Sequence, residues 1–291
     1  MSTRNNRAWA VGLAILFFGC GSSPKTTTEP VQTKPTPPAA GETTTTPPAP
    51  ALPSAAEVLD RYVEVTGGKA AYDKLTSSVM TGKMSIPSQN ISGTVEVYMA
   101  APRKMYSKAT IAGIGDQERG TDGDVAWEKS MMTGNRIIEG NEKAELMREA
   151  TFNSDVLWRD LYPKAEVAGL ETIDGKPAYK VVLTTPEGTT QTRYYDQASG
   201  LLVGTEQTAE TNMGKIDVTT RISDYRKVGD MTVAFKNVSS MMGMEQVMTI
   251  DKVEFDVAIP ADRFAIPAEI QALLGGGAAK APAKTPTKDS K

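Results

Sequence analysis

The sequence contains no histidine, and its only cysteine is Cys20. Without imidazole there is no Ser-His or Cys-His nucleophile pair and no His-based metal site. Surplus positive charge is also missing. The net charge is -3 and the pI is near 5.3, which argues against nucleic acid as partner, since phosphate binding needs a concentrated basic face. A Ser-x-x-Lys pair occurs at Ser22–Lys25, in a stretch too poor in apolar residues to build an oxyanion site. Asp122-Gly123-Asp124, with Glu128 nearby, lacks the further spaced oxygen ligands of a calcium loop, and Asp-Gly is a hairpin turn signal. These absences leave no catalytic residue, no metal ligand and no cofactor to assign, so an enzyme is not expected.

What is present divides the chain into four parts. Residues 1–19 place Arg4 and Arg7 before the apolar run Ala8–Phe18. That run is too short to span a bilayer, and the pattern is that of a secretory signal peptide. Its removal takes the net charge from -3 to -5. The ending Leu16-Phe17-Phe18-Gly19-Cys20 resembles a bacterial lipoprotein box. The resemblance implies cleavage before Cys20 and acylation of its sulfur and new amino group, palmitate being one such chain. A single fatty chain binds a bilayer with an association constant on the order of 10⁴ M⁻¹, while two or more hold stably. A fully acylated Cys20 is therefore a sufficient anchor. Gly21, in place of an Asp there, favours the outer membrane facing the periplasm. Residues 20–53 follow, with nine Pro and nine Thr between Gly21 and Pro53. This composition samples extended shapes, reaches on the order of 100 Å, and reads as a solvated spacer. Residues 275–291, rich in Gly, Ala, Pro and Lys, read as a disordered tail.

The foldable part is 54–274. It opens at Ser54-Ala55-Ala56-Glu57, a capping box, followed by Val58, Leu59, Tyr62 and Val63 on one helical stripe. Gly67-Gly68 stops that helix. From Val79 the chain turns to period-two alternation, clearest in Ile91–Met99, where Val95, Val97 and Met99 alternate with Thr94 and Glu96. Thirteen such runs are expected: Val79–Ile86, Ile91–Ala100, Lys104–Ala112, Gln117–Asp122, Val125–Lys129, Asn135–Glu139, Ala165–Ile173, Ala178–Thr185, Thr190–Tyr195, Leu201–Thr208, Lys215–Tyr225, Thr232–Ser239 and Gln246–Phe255. Asp174-Gly175 is a strong hairpin signal. Long consecutive antiparallel strands twist and curl. The expected fold class is therefore mainly β (α+β), a curved antiparallel sheet forming a half-barrel.

Asn141–Tyr162 interrupts the strands with helical patterning. Asn141 is a plausible N-cap, and Asn153 is placed to cap a second helix carrying Val156, Leu157, Trp158 and Leu161, which Pro163 ends. Two helices at that point are expected to lie as a lid across the sheet. Methionine is over-represented, with 14 residues, several on strands, and Met suits surfaces that accept varied apolar partners. The expected apolar cavity is lined by Met84, Val95, Val97, Met99, Met105, Trp127, Met147, Trp158, Val218, Phe235, Met244 and Met248, with Met147 and Trp158 on the inner side of the lid.

Ala56–Gly68, Ile91–Ala101, Asp122–Glu139, Asp160–Glu166, Tyr194–Leu202, Ser223–Tyr225 and the closing Phe264-Ala265-Ile266-Pro267 together resemble the periplasmic outer-membrane lipoprotein-sorting carriers and their membrane-anchored receptor. That resemblance implies a curved half-barrel with helices over a cavity that accepts acyl chains. It also implies a bacterial envelope location, and Cys20 leans towards the anchored receptor. Two functions follow as expectations. One is a monomeric, membrane-anchored lipoprotein binding acyl chains or another lipophile, in lipid or lipoprotein trafficking. The other is a non-enzymatic scaffold with a filled core that recognises an envelope protein partner.

Overall fold

A computed structural model of the chain describes residues 51–131, 134–211 and 214–275; Cys20, spacer residues 21–50 and tail residues 276–291 lie outside these, while Gly275 ends the last helix. Thirteen strands form one antiparallel sheet: β1 Ser77–Ile86, β2 Ile91–Ala100, β3 Lys104–Ile111, β4 Gly115–Thr121, β5 Ala126–Ser130, β6 Gly134–Ile138, β7 Lys164–Ile173, β8 Lys176–Thr184, β9 Thr190–Asp196, β10 Leu202–Thr211, β11 Gly214–Val228, β12 Met231–Met241 and β13 Met244–Phe255. Each of the thirteen expected runs is one of these strands, with ends moved by a few residues. The spatial order is β6-β5-β4-β3-β2-β1-β13-β12-β11-β10-β9-β8-β7. The sheet is thus two meanders joined where β1 pairs with β13, in a register running from Ser78 opposite Phe255 to Ser85 opposite Val247. It does not close into a barrel. Its free edges are β6 and β7, and the segment between those two strands in sequence carries the lid helices.

Turn chemistry fixes the hairpins. Asp174 and Gly175 both take positive φ (48° and 79°), as a tight hairpin turn with the sheet's twist requires. Asp122 accepts hydrogen bonds from the Asp124 and Val125 amides, both 2.9 Å, so its carboxylate closes the β4–β5 turn.

Helix α1, Ala55–Thr66, begins with the expected capping box: the Glu57 amide donates to Ser54 Oγ (3.2 Å) and the Ser54 amide donates to the Glu57 carboxylate (2.7 Å). Val58, Leu59, Tyr62 and Val63 are all buried. Gly67, at φ 153°, ends the helix in a backbone conformation that L side chains rarely adopt, and a Cβ there would press on Met231 Sδ at 2.7 Å. A further turn, α2 (Lys69–Tyr72), buries Tyr72 completely.

The lid differs from expectation in detail. Helix α3 spans Gly140–Glu149 with Glu139, not Asn141, at its N-cap. Helix α4 is a single turn, Trp158–Leu161. Asn153 stands in the left-handed region (φ 70°), and it is its main-chain carbonyl that accepts from Val156 and Leu157. A last helix, α5 (Ala268–Gly275), was not expected. It and the short turn Ala261–Phe264 pack on the convex face of the sheet, where Phe264 and Ile270 bury against Tyr106 and Trp127.

Candidate functional site

Alternation decides which side chains face the lid. Val95, Val97, Met99, Met105, Ala109 and Ile111 point to the concave face and join Met84, Phe235 and Met248 in one continuous cluster. The cluster is closed from above by Val63, Ala71 and Tyr72 of α1–α2, and by Leu146, Ala150 and Phe152 of the lid. Leu146 is the only fully buried side chain of α3, so it occupies the inward position expected of Met147. Met147 is half-buried: it touches this cluster from the side, with Sδ 3.6 Å from Thr121 Oγ1.

Seven of the twelve expected lining residues (Met84, Val95, Val97, Met99, Met105, Phe235 and Met248) therefore come together, and Met147 borders them. Four lie elsewhere. Trp127 is on the convex face beneath α5, because Ala126 and Ile138 take the inward positions of β5 and β6. Its indole covers Gly120, where a Cβ would be 3.0 Å from the ring and 2.6 Å from the Met105 carbonyl oxygen. Trp158 packs on α1 in a second cluster with Val58, Leu59, Tyr62, Val181 and Tyr195, and its Nε1 donates to Asp60 (3.1 Å). Val218 belongs to a small separate cluster with Ala209, Ile216 and Met241. Met244 lies half-buried beside that cluster, in the row of Val218 and Met241. Other methionines serve neither cluster: Met131 and Met242, at the β5–β6 and β12–β13 turns, are 79% and 66% exposed.

Two polar rows that sequence reading missed cross the concave face, one through the main apolar cluster and one beside it. On β3–β6 the register aligns Ser107, Arg119, Glu128 and Arg136. Arg119 donates to lid residue Glu149 (3.2 Å), and Arg136 donates to lid residue Glu142 (2.7 Å). On β9–β13 it aligns Arg193, Thr205, Thr220, Ser239 and Gln246 across five neighbouring strands. Arg193 donates to Asp155 (3.4 Å), Tyr162 Oη (3.1 Å) and Gln191 (2.9 Å), and Gln207 Nε2 donates to lid residue Glu145 (3.1 Å). Arg148 pairs with Glu187 in the β8–β9 turn, and Arg159 pairs with Asp60 of α1 (2.7 Å). The Arg159 guanidinium, with help from Trp158, holds the Asp60 carboxyl below the usual range. The lid is thus clamped to both halves of the sheet by charged and polar pairs set around its apolar anchors Leu146, Phe152, Trp158 and Tyr162.

Two lid carboxylates are strained electrostatically. Burial, and then the charge of Glu149 one turn away, push Glu145 up to about 7. Glu149 is also raised by burial, with Arg119 opposing. Behind the lid an open cleft of about 290 Å³ lies between α3, α4 and the β8–β9 turn, lined by Arg103, Met147, Arg148, Asp160, Leu161 and Glu187 among others.

No protein-family model matches this chain, and no curated protein matches it in sequence. Solved structures do match its fold. An outer membrane lipoprotein-sorting protein domain from Vibrio parahaemolyticus aligns with a TM-score of 0.50 at 13% identity, over 72% of this chain and 97% of that one. A LolA superfamily protein from Nitrosomonas europaea aligns with a TM-score of 0.50 at 13% identity, over 74% and 99%. The curved, lidded half-barrel of this chain is therefore the LolA-like fold of the outer-membrane lipoprotein-sorting domains.

Proposed function

We propose that this protein is a non-enzymatic, membrane-anchored lipoprotein of the bacterial envelope. In this reading it takes acyl chains or another lipophile onto the Met-rich concave face once the lid swings away. The observation that carries the proposal is the manner in which the lid is held. Helix α3 places one fully buried side chain, Leu146, on the apolar cluster, while polar pairs to Arg119, Arg136 and Gln207 hold its flanks. These pairs are largely buried, and burial raises the Glu145 and Glu149 carboxyls, so the closed lid carries an electrostatic cost that opening relieves. Opening exposes Met84, Met99 and Met105, each 1% exposed in the closed form, to a flexible apolar guest. Each methylene buried there contributes about 0.8 kcal/mol. In the same proposal Cys20 carries the acyl anchor and residues 21–53 serve as the spacer from the outer membrane. The domain at 54–274 acts as a monomer.

Uptake of a fluorescent fatty acyl probe tests this reading. Saturable uptake that Met147→Asp or Leu146→Asp abolishes supports it; no uptake by the wild-type chain removes it. The tight packing of the closed interior favours a second reading, a scaffold with a filled core whose rim recognises an envelope protein. Absence of any bound lipophile would leave that reading standing.

A further inference from the structure

The polar row on β9–β13 is poorly explained by packing. Thr220 and Ser239 satisfy each other at 3.0 Å, but their neighbours do not follow suit. Among the described residues, Gln246 is 5% exposed and its Oε1 has no hydrogen-bond partner; Asn237 is 2% exposed and neither of its amide atoms has one. By register Asn237 lies opposite Ile222 and Met248, one step along β12 from Ser239, and its side chain points to the same concave face. Burying amide atoms without partners costs their full desolvation, so a sequence selected only for stability would place apolar residues there, as it does at the flanking Val218, Met241, Phe235 and Ile250. The row also has an architectural effect. It separates the small apolar cluster of Ala209, Ile216, Val218 and Met241 from the main Met-rich cluster.

The charge around the row restricts what it can accept. Its one cation, Arg193, is already engaged by Asp155, Gln191 and Tyr162. The lid brings Glu145 onto neighbouring Gln207 (3.1 Å) and carries Glu149 one turn further along. An anionic group arriving here would meet carboxylates and no free guanidinium, whereas a neutral group offering both donors and acceptors would meet two amides and two hydroxyls. Resting on the lipophile-binding reading above, we propose that Asn237, Gln246, Thr220 and Ser239 form a polar subsite for the uncharged hydrogen-bonding part of an amphiphile, a hydroxyl or ester linkage, whose hydrocarbon chain lies against Met84, Met99 and Met248. The subsite makes the protein selective for neutral acylglycerol-type lipids over free fatty acids.

The test compares pyrene-dodecanoic acid with its monoglycerol ester, two probes with one chain and different heads, binding to the delipidated full chain at pH 8. The wild-type protein is expected to bind the ester at least tenfold more tightly than the acid. Asn237→Leu combined with Gln246→Met is expected to weaken ester binding about tenfold, to leave the acid within threefold, and to keep the thermal midpoint at or above that of wild type. If that pair fails to fold, Thr220→Val with Ser239→Ala interrogates the same row with the same expectations. Equal binding of the two probes by wild type, preference for the acid, or unchanged ester binding by a folded variant overturns the subsite and leaves lipophile binding intact. Failure of wild type to bind either probe overturns both.

Discussion

Glu145→Gln isolates the electrostatic cost built into the lid. The carboxyl of Glu145 titrates near 7 in the folded protein, against an ordinary value of 4.5, because it is buried and faces Glu149. A raised carboxyl favours its protonated form in the fold, so the folded state binds more protons than the unfolded one between pH 4.5 and 7, and stability falls as pH rises through that window. The cost of ionising this one group is on the order of 0.8 kcal/mol at pH 5 and about 3 kcal/mol at pH 7.5. Gln carries no charge and still offers an oxygen to Gln207, so the variant should be more stable than wild type by that amount at pH 7.5 and by far less at pH 5. Carboxyls held below their ordinary range, such as Asp60 and Asp196, act the other way. Their stabilisation is lost only as pH falls below about 4, outside the window compared. Urea unfolding at the two pH values, with hydrogen exchange on the α3 amides, reads the effect globally and locally. An identical gain at both pH values would mean that the benefit owes nothing to the titration of Glu145.

Leu146→Ala removes the lid's one fully buried α3 anchor and should cost about 2–5 kcal/mol. Exchange should accelerate at least tenfold on α3 while β2 and β12 hold; uniform acceleration would mean the lid does not open separately. Asn237→Leu exchanges two unpartnered amide atoms for methyls and should raise stability by roughly 1–3 kcal/mol; a drop in the unfolding midpoint would show that the amide is satisfied in solution. Ser54→Ala breaks the capping box of α1 and should lower stability by about 0.5–2 kcal/mol, measurable as a shift in urea midpoint without change of slope. Cys20→Ser should release the protein from the membrane fraction and abolish labelling by a fatty-acid analogue; unchanged membrane association would place the anchor elsewhere.

Local rules made much of the architecture readable. The capping box at Ser54–Glu57, the α1 stripe, the Asp174-Gly175 turn and the alternation in Ile91–Met99 all depend on neighbours a few residues apart, and all appear as expected. The pairing of β1 with β13 joins residues some 170 positions apart, and no short pattern specifies it. Alternation separates Ala126 from Trp127 but does not say which faces the lid. Because α5 covers the convex side, β5 is apolar on both faces at its Ala126-Trp127 start, and the larger residue went outward. Lid phase failed for a related reason. Met147 and Leu146 are adjacent, and the rotation of α3 is fixed by distant partners: Arg119 and Arg136 opposite Glu149 and Glu142, Gln207 opposite Glu145, and the cluster that receives Leu146. Arg136 stands two residues before Ile138 on the inward face of β6, so a charge in that apolar row was the signal that could have located the clamp; β4 has no apolar alternation to mark Arg119 in the same way.

In the proposed function the closed lid covers a surface made for a lipophile. Native mass spectrometry of the full chain, released gently from membranes and followed by extraction and identification of what it carries, tests this most directly. The expected result is a substoichiometric to stoichiometric amphiphile beyond the Cys20 acyl groups, enriched in neutral acylglycerol-type species and lost from Leu146→Asp. A wild-type protein that carries no lipid, and takes none up when offered mixed-lipid vesicles, would contradict it.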